Sequence, residues 1–349
     1  GLGTVTDALV IKRSRMKSVR VDPAARTVRV DGGCTWGDVD HATHAFGLAV
    51  PTGIISTTGV GGLTLGGGLG HLTRGCGLTI DNLLEADVVL ANGTLVTASA
   101  KKNSDLFWAL RGGGGNFGVV TSFLFRAHPV HTDYAGPMLW ELSESAEVMA
   151  WWDKFMKKAP KELTGFFLFM VVPPGPPFPE HLHMKKMCAV AWCYSGPLKS
   201  AEKIFKPIRA FKKAALDFVG PIPHPPGNSM FDALYPPVQN WYWKADFVKE
   251  LTPEAIALHV KHGSDMPTWQ SSMHMYPIDG VAAKVKNNAT AWGNRDARYA
   301  EVIVGVDADP KSREKLTKWA RDYWTALHPH NLPGAYVDFM VADEGDGHL

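Results

Sequence analysis

The sequence predicts an α+β fold in two domains, and three observations carry that expectation. The chain has 349 residues, too many for one ordinary core. Its first third holds short strands of period two closed by tight turns. Its second half mixes about five strands with four or five helices outside strict βα alternation, which favours an antiparallel sheet covered by helices.

Residues 8–11 form a short apolar strand candidate. Residues 18–22 and 27–31 alternate polar and apolar side chains across Pro23-Ala24-Ala25-Arg26, a hairpin with one wet face. Thr35 caps a helix that carries Trp36, Val39, Ala42 and Phe46 on its turns and stops at Gly47. His41 and His44 lie one turn apart on it. No third metal ligand is spaced to join them, so they mark a solvated face. Residues 86–90 and 94–98 pair across Asn92-Gly93, a two-residue hairpin signal. Ser104 caps a short helix over 105–110.

Beyond about residue 129 glycine clusters give way to aromatics and prolines. Helices are predicted over 141–158, 200–211, from Thr252 to 262, and over 310–327 with Pro310 in the first turn. Strands are predicted over 166–172, 187–194, 240–247, 269–276, 301–307 and 335–341.

Two glycine blocks interrupt this pattern. Residues 50–70 hold Gly53, Gly59, Gly61, Gly62, Gly66, Gly67, Gly68 and Gly70, with apolar residues between them. A flexible linker is polar, so this stretch reads as a loop buried against a flat ligand, with backbone close to a phosphate. The second block, Arg111-Gly112-Gly113-Gly114-Gly115-Asn116-Phe117-Gly118, runs straight into a strand over 119–125. Neither block is a Rossmann or P-loop motif. Thr64 stands where G-x-G-x-x-G needs its last glycine, and no Lys-Ser/Thr pair follows either block.

Composition excludes several classes. With 36 basic and 34 acidic residues the net charge is +2, which leaves no basic footprint for nucleic acid. A hydrophobic fraction of 45% beside 20% charge describes an ordered globular chain, not a disordered one. No run of about 18 apolar residues provides a membrane helix. Cys34, Cys76, Cys188 and Cys193 show no CxxC spacing, and no metal site is expected. The chain starts at Gly1 without methionine or signal peptide, which predicts a fragment or processed form and no readable address.

Val50-Pro51-Thr52-Gly53, then Thr57-Thr58-Gly59-Val60-Gly61-Gly62 and Gly66-Gly67-Gly68, resembles the flavin-binding signature of the vanillyl-alcohol oxidase/p-cresol methylhydroxylase superfamily. The run from Asp105 to Thr121 resembles its second signature, with Asp81-Asn82-Leu83-Leu84 between the two. Tyr336-Val337-Asp338-Phe339 is similar to the Tyr-x-Asn-Tyr/Phe segment of the berberine bridge enzyme-like branch. The resemblance implies an FAD-binding PCMH-type domain plus a substrate domain whose antiparallel sheet is covered by helices. Residues 1–130 then correspond to the FAD domain without its N-terminal part, 131–332 to the substrate domain, and 333–349 to a return segment. It implies truncation at both ends, which would leave an FAD pocket lacking one wall. The alternative to an enzyme is therefore a remnant that keeps the fold and binds FAD weakly or not at all.

The resemblance implies FAD contacts from Pro51, Thr57, Thr58, Gly59, Gly61, Gly62, Gly66, Gly67, Gly68, Asn116, Gly118, Val119 and Val120. Ile55 stands where bicovalent members carry a flavin-linked cysteine, and Leu63 where plant-like members carry histidine. The implied reaction oxidises a C–H bond of a sugar or secondary-metabolite alcohol by hydride transfer to flavin N5, with O2 as an electron acceptor. Its base is implied to be Tyr336, with Lys244 as a nearby positive charge that favours the phenolate. Asp338 replaces the usual asparagine and opposes that effect. Trp241, Trp243 and Tyr276 offer broad faces to a small-molecule substrate, and core packing would use the same rings. Arg295 reads as a salt-bridged strand end or a substrate contact.

Overall fold

A computed structural model describes residues 7, 9–334 and 336–340. The chain divides into two compact units. The first comprises residues 1–133, 222–231 and 278–296, and the second 134–221, 232–277 and 297 onward. This corrects the contiguous division at residues 130 and 332. Two excursions from the second half belong to the first unit, and the described residues after 332 belong to the second.

In the first unit, β1 (Val19–Asp22), β2 (Thr27–Asp31), β3 (Leu83–Val89), β4 (Leu95–Ser99) and β5 (Val119–Arg126) form an antiparallel sheet in the order β1-β2-β5-β3-β4. Alternation decides its faces. Val28, Val30, Phe123 and Phe125 are buried together, and Trp36 from helix α1 (Trp36–His44) packs on Phe125 at 5.6 Å. Arg29, on the other face, pairs with Glu85 and Asp87. Thr35 caps α1, as the sequence predicts, and Asp38 completes a capping box with it.

The excursions are tied in by buried polar groups. Asn228 Nδ2 donates to Asp40 Oδ2 at 2.8 Å, and His224 Nδ1 lies 2.7 Å from Asp133 Oδ2. Arg74 Nε donates to Asp279 at 2.5 Å, and Arg295 forks onto Asp81 with two bonds of 2.8 Å.

The second unit has β6 (Thr132–Glu141), helix α4 (Ser145–Met156), β7 (Leu163–Val171), β8 (Lys186–Tyr194) and helix α5 (Ala201–Phe211). It continues with β9 (Asn240–Val248), helix α6 (Pro253–Ser264), β10 (Ser272–Pro277), β11 (Tyr299–Asp307) and helix α7 (Arg313–Leu327). The strands run β6-β8-β7-β10-β11-β9 with antiparallel neighbours. One face carries the helices. Phe167, Phe169, Met273 and Ile303 point from it into a core with Trp152, Phe205, Ile256 and Tyr323. This is the α+β layer the sequence predicts.

Three local expectations are corrected. No strand forms at residues 9–11, where Leu9 is 90% exposed; Ala8 lies outside the described residues. The first glycine stretch is not all loop, because Val60–Gly66 is a helix, here α2 (with Ser104–Ala109 as α3), in which Thr64 and Leu65 are buried among its glycines. The expected strand over 335–341 is a 3-10 turn, Val337–Phe339, within its described part. Its Phe339 N–H donates to Tyr336 O at 2.8 Å, which stacks the two rings edge to face at 5.0 Å. Residues 335 and 341 lie outside the described residues.

Candidate functional site

The glycine blocks of the first unit meet at one carbonyl. Leu65 O, in α2, accepts hydrogen bonds from Gly112 N and Gly114 N, each at 3.0 Å. That junction requires close approach. A Cβ on Gly112 would lie 2.4 Å from Trp292 N, and its φ of +115° admits glycine readily and little else. Trp292 belongs to the second excursion and donates its backbone N–H to Arg111 O at 3.1 Å. Arg111 Nη2 and Trp108 Nε1 hold the same excursion through Ala289 O and Asn288 O, at 2.9 and 2.8 Å. The ion pair of Asp81 and Arg295 anchors its far end, and Asp81 also caps Leu78 N at 2.9 Å. Arg295 is thus a buried, ion-paired cation on a loop and not at a strand end.

The candidate cofactor residues fall into two groups. Thr57, Gly59, Gly62 and Asn116 are exposed, and a Cβ on Gly59 or Gly62 would meet nothing within 4 Å. Gly61, between them, is filled by Arg13. A Cβ there would lie 2.7 Å from Arg13 Nη2. Arg13 Nη1 in turn donates to Val120 O at 2.6 Å. Thr58 O accepts from Trp36 N, joining the loop to α1.

The second group packs inward. Pro51 O accepts from Thr79 Oγ1 at 2.8 Å, and Gly67 O and Gly68 O accept from Ile80 N and Thr79 N. Gly66 ends α2 and is buried. A Cβ on Gly118 would lie 2.7 Å from Val89 O. Val119 and Val120 pair with Val89 and Val88. Pro51, Gly66, Gly67, Gly68 and Gly118 therefore shape the loop from behind.

FAD fits this donor set. Open backbone at Gly59 and Gly62 leaves room for a flat or extended ligand. Thr52 Oγ1 and Thr64 Oγ1 are buried in the same stretch without a hydrogen-bond partner among the described residues, an arrangement that calls for polar ligand atoms. Leu63 inserts its isobutyl group between Gly53 and Gly68, so an apolar side chain stands at the position noted for histidine.

The second unit gathers the remaining candidates on the sheet face opposite its helices. Trp241 and Trp243 lie 5.8 Å apart, Trp241 contacts Tyr235, and Trp243 contacts Phe339. Tyr276 stacks with Phe166 at 4.9 Å and with Phe339 at 6.2 Å. His274 lies between two phenols, with Nδ1 2.6 Å from Tyr276 Oη and Nε2 3.1 Å from Tyr235 Oη. A neutral imidazole has one N–H and one bare nitrogen, so one phenol donates and the other accepts. Burial pulls the His274 pKa down to about 3, and burial followed by the neighbouring Tyr235 pushes Tyr276 well above an ordinary phenol. Tyr235 and His274 were not read from the sequence. Only the serine–histidine–tyrosine alternation of β10 hinted at a polar stripe.

Tyr336 packs on Phe247 and Phe339. Its hydroxyl donates to Asp338 Oδ2 at 2.7 Å. Lys244 is not brought to it. Even positions of β9 face α7, where Lys244 lies 5.3 Å over Trp324 and Tyr242 meets Arg321. Odd positions carry Trp243 and Phe247 to the aromatic face. A strand's alternation sets Lys244 and Tyr336 on opposite sides, so the expected catalytic pairing is corrected. Among the described residues no His/Cys/Asp/Glu group is arranged for a metal ion. Nor is any helix there long and apolar enough to cross a membrane.

Neutral burial of His274 has a pH signature. Its folded pKa lies below its ordinary 6.5, so the unfolded chain binds the proton first. The stability it contributes is intact above pH 6.5 and is lost as pH falls towards 3. His274→Asn is expected to reduce the slope of unfolding free energy against pH by up to one proton in that window. Denaturant titrations at several pH values measure it, and an unchanged slope refutes the assignment.

Residues 1–99 match the model of an FAD binding domain. An FAD-linked oxidoreductase of Dictyostelium discoideum is 30% identical over 331 residues, covering 94% of this chain and 70% of that protein. The xylooligosaccharide oxidase of Thermothelomyces thermophilus is 42% identical over 156 residues, which cover 44% of this chain and 31% of that enzyme. The structure of Physcomitrella patens BBE-like 1 shares the fold, with a TM-score of 0.81 and 23% identity over 95% of this chain and 73% of its own. With its two glycine blocks joined at Leu65, the chain belongs to the FAD-linked oxidoreductases, and FAD is its cofactor.

Proposed function

We propose that this oxidoreductase oxidises an alcohol or related C–H bond of a sugar or secondary metabolite and passes the electrons on to O2. The observation that carries the substrate class is the aromatic face of the second unit. Trp241, Trp243 and Tyr276 stand together there, and the apolar side of a sugar ring stacks on such rings. The partial match to a xylooligosaccharide oxidase supports the same class.

When bound, FAD supplies the hydride acceptor at N5. Thr57, Gly59, Gly62 and Asn116 hold it from the open side of the glycine blocks, and the inward-packed glycines keep that backbone in place. Tyr336 handles the proton. It takes the proton of the substrate hydroxyl as the hydride leaves, while its own proton passes to Asp338 Oδ2 along the bond already formed. The carboxylate thus performs the task expected of a lysine, as the final acceptor and not as a field.

The test is the purified chain incubated with FAD and then offered a panel of oligosaccharides and alcohols, with peroxide release as readout. Turnover with wild type and a loss of about 10²- to 10⁴-fold in kcat for Tyr336→Phe supports the reading. Weak or absent flavin binding together with no turnover of any panel member favours the non-catalytic alternative.

A further inference from the structure

We propose that Arg13 is a cofactor-anchoring residue whose guanidinium binds the diphosphate of FAD beside Gly61. The inference rests on the FAD site above and adds a residue that neither glycine signature contains.

Arg13 sits where a side chain has little room. A Cβ on Gly61 would lie 2.7 Å from its Nη2 and 3.2 Å from its Nη1, and a Cβ on Gly32 2.8 Å from Nη1. A Cβ on Gly33 would overlap the Arg13 carbonyl oxygen at 1.9 Å. Glycine at positions 32 and 61 is what admits the guanidinium, and at 33 what admits the Arg13 backbone. Gly59 and Gly62, on either side of Gly61, open onto free space. A cation has thus been set into the glycine stretch, next to the part of it that a ligand can reach.

Among the described residues no opposite charge matches it. Arg13 is half-buried, and among the described residues its guanidinium makes one hydrogen bond, from Nη1 to the neutral carbonyl of Val120. No carboxylate of the described residues pairs with it. Burial alone pulls its pKa down, with no opposing charge to restore it. A guanidinium has five N–H donors in a fixed fork. Nη2 and Nε remain available after the Val120 bond. Charges withdrawn from water are ordinarily paired, and a diphosphate dianion is the complement that an FAD-binding domain receives. Arginine is also the side chain best matched to phosphate oxygens, because its planar fork can meet two of them at once. An arginine kept for folding would be expected to meet a carboxylate, as Arg29, Arg74 and Arg295 do in the same unit.

The experiment titrates the full chain with FAD and with riboflavin, which lacks the diphosphate, by quenching of flavin fluorescence at low and high salt. Wild type, Arg13→Met and Arg13→Lys are compared, with thermal unfolding of each as a check on folding. Arg13→Met is expected to weaken FAD by about 10- to 100-fold, to flatten its salt dependence and to leave riboflavin unchanged. Arg13→Lys recovers part of the loss. Equal FAD affinity in wild type and Arg13→Met, or an equal loss for FAD and riboflavin, overturns the proposal and leaves the FAD site standing. Failure of wild type to bind FAD overturns both.

Discussion

Arg295→Met is expected to destabilise the first unit by about 3–5 kcal/mol. Arg295 is buried and the side chain of Asp81 is only 8% exposed, and the pair is bidentate with two bonds of 2.8 Å. Its guanidinium also stacks 4.8 Å over Trp292 and donates to Thr290 and to Ala282 O. Methionine fills much of the volume but leaves the Asp81 carboxylate, among the described residues, with a single donor, Leu78 N. The cost is that of a stranded buried charge, far above the value of an exposed ion pair. Arg295→Lys keeps the charge and loses the fork, so it should fall between the two. Urea denaturation followed by hydrogen exchange in β3 and β5 measures the effect. A loss under about 1 kcal/mol for Arg295→Met would show that the pair is not structural.

Gly112→Ala is expected to cost about 4 kcal/mol, from backbone strain and overpacking together, and to abolish FAD binding. At φ +115° an alanine is strained, and its methyl would lie 2.4–2.7 Å from the backbone and Cβ of Trp292. Relief means moving Gly112 away, which breaks its bond to Leu65 O and separates the glycine blocks. Gly114→Ala is the internal control. Its φ of +74° is also positive, but no atom lies within 4 Å of the added methyl, so it should cost about 1–2 kcal/mol. Equal effects of the two substitutions would falsify the role given to the Trp292 contact.

Much of this was legible in one dimension. Period-two alternation marks β1 and β2, because a strand's faces are fixed by its backbone alone. Thr35 and Thr252 mark helix starts, because a cap is a contact within four residues. Glycine clustering marks the cofactor stretch, because only a ligand or a close backbone explains its conformational cost. What failed to show was also local in cause. Val60–Gly66 is poor in helix formers and reads as loop. It becomes helical by burying Val60, Thr64 and Leu65, a tertiary override of propensity. Tyr336 and Phe339 read as a strand until edge-to-face packing turns them into a 3-10 turn.

The sequence by itself determined the fold class, the family and the glycine blocks, since each is written in neighbouring residues. Only the tertiary structure decided which partners those residues have. Asp81 meets Arg295, and Gly112 meets Trp292, across 214 and about 180 positions of chain. Lys244 turns away from Tyr336 although strand and turn adjoin. Arg13 settles beside Gly61 with no signal in its own neighbourhood. Such pairings depend on how sheet faces and loop closures bring distant segments together, and no local pattern of residues encodes them.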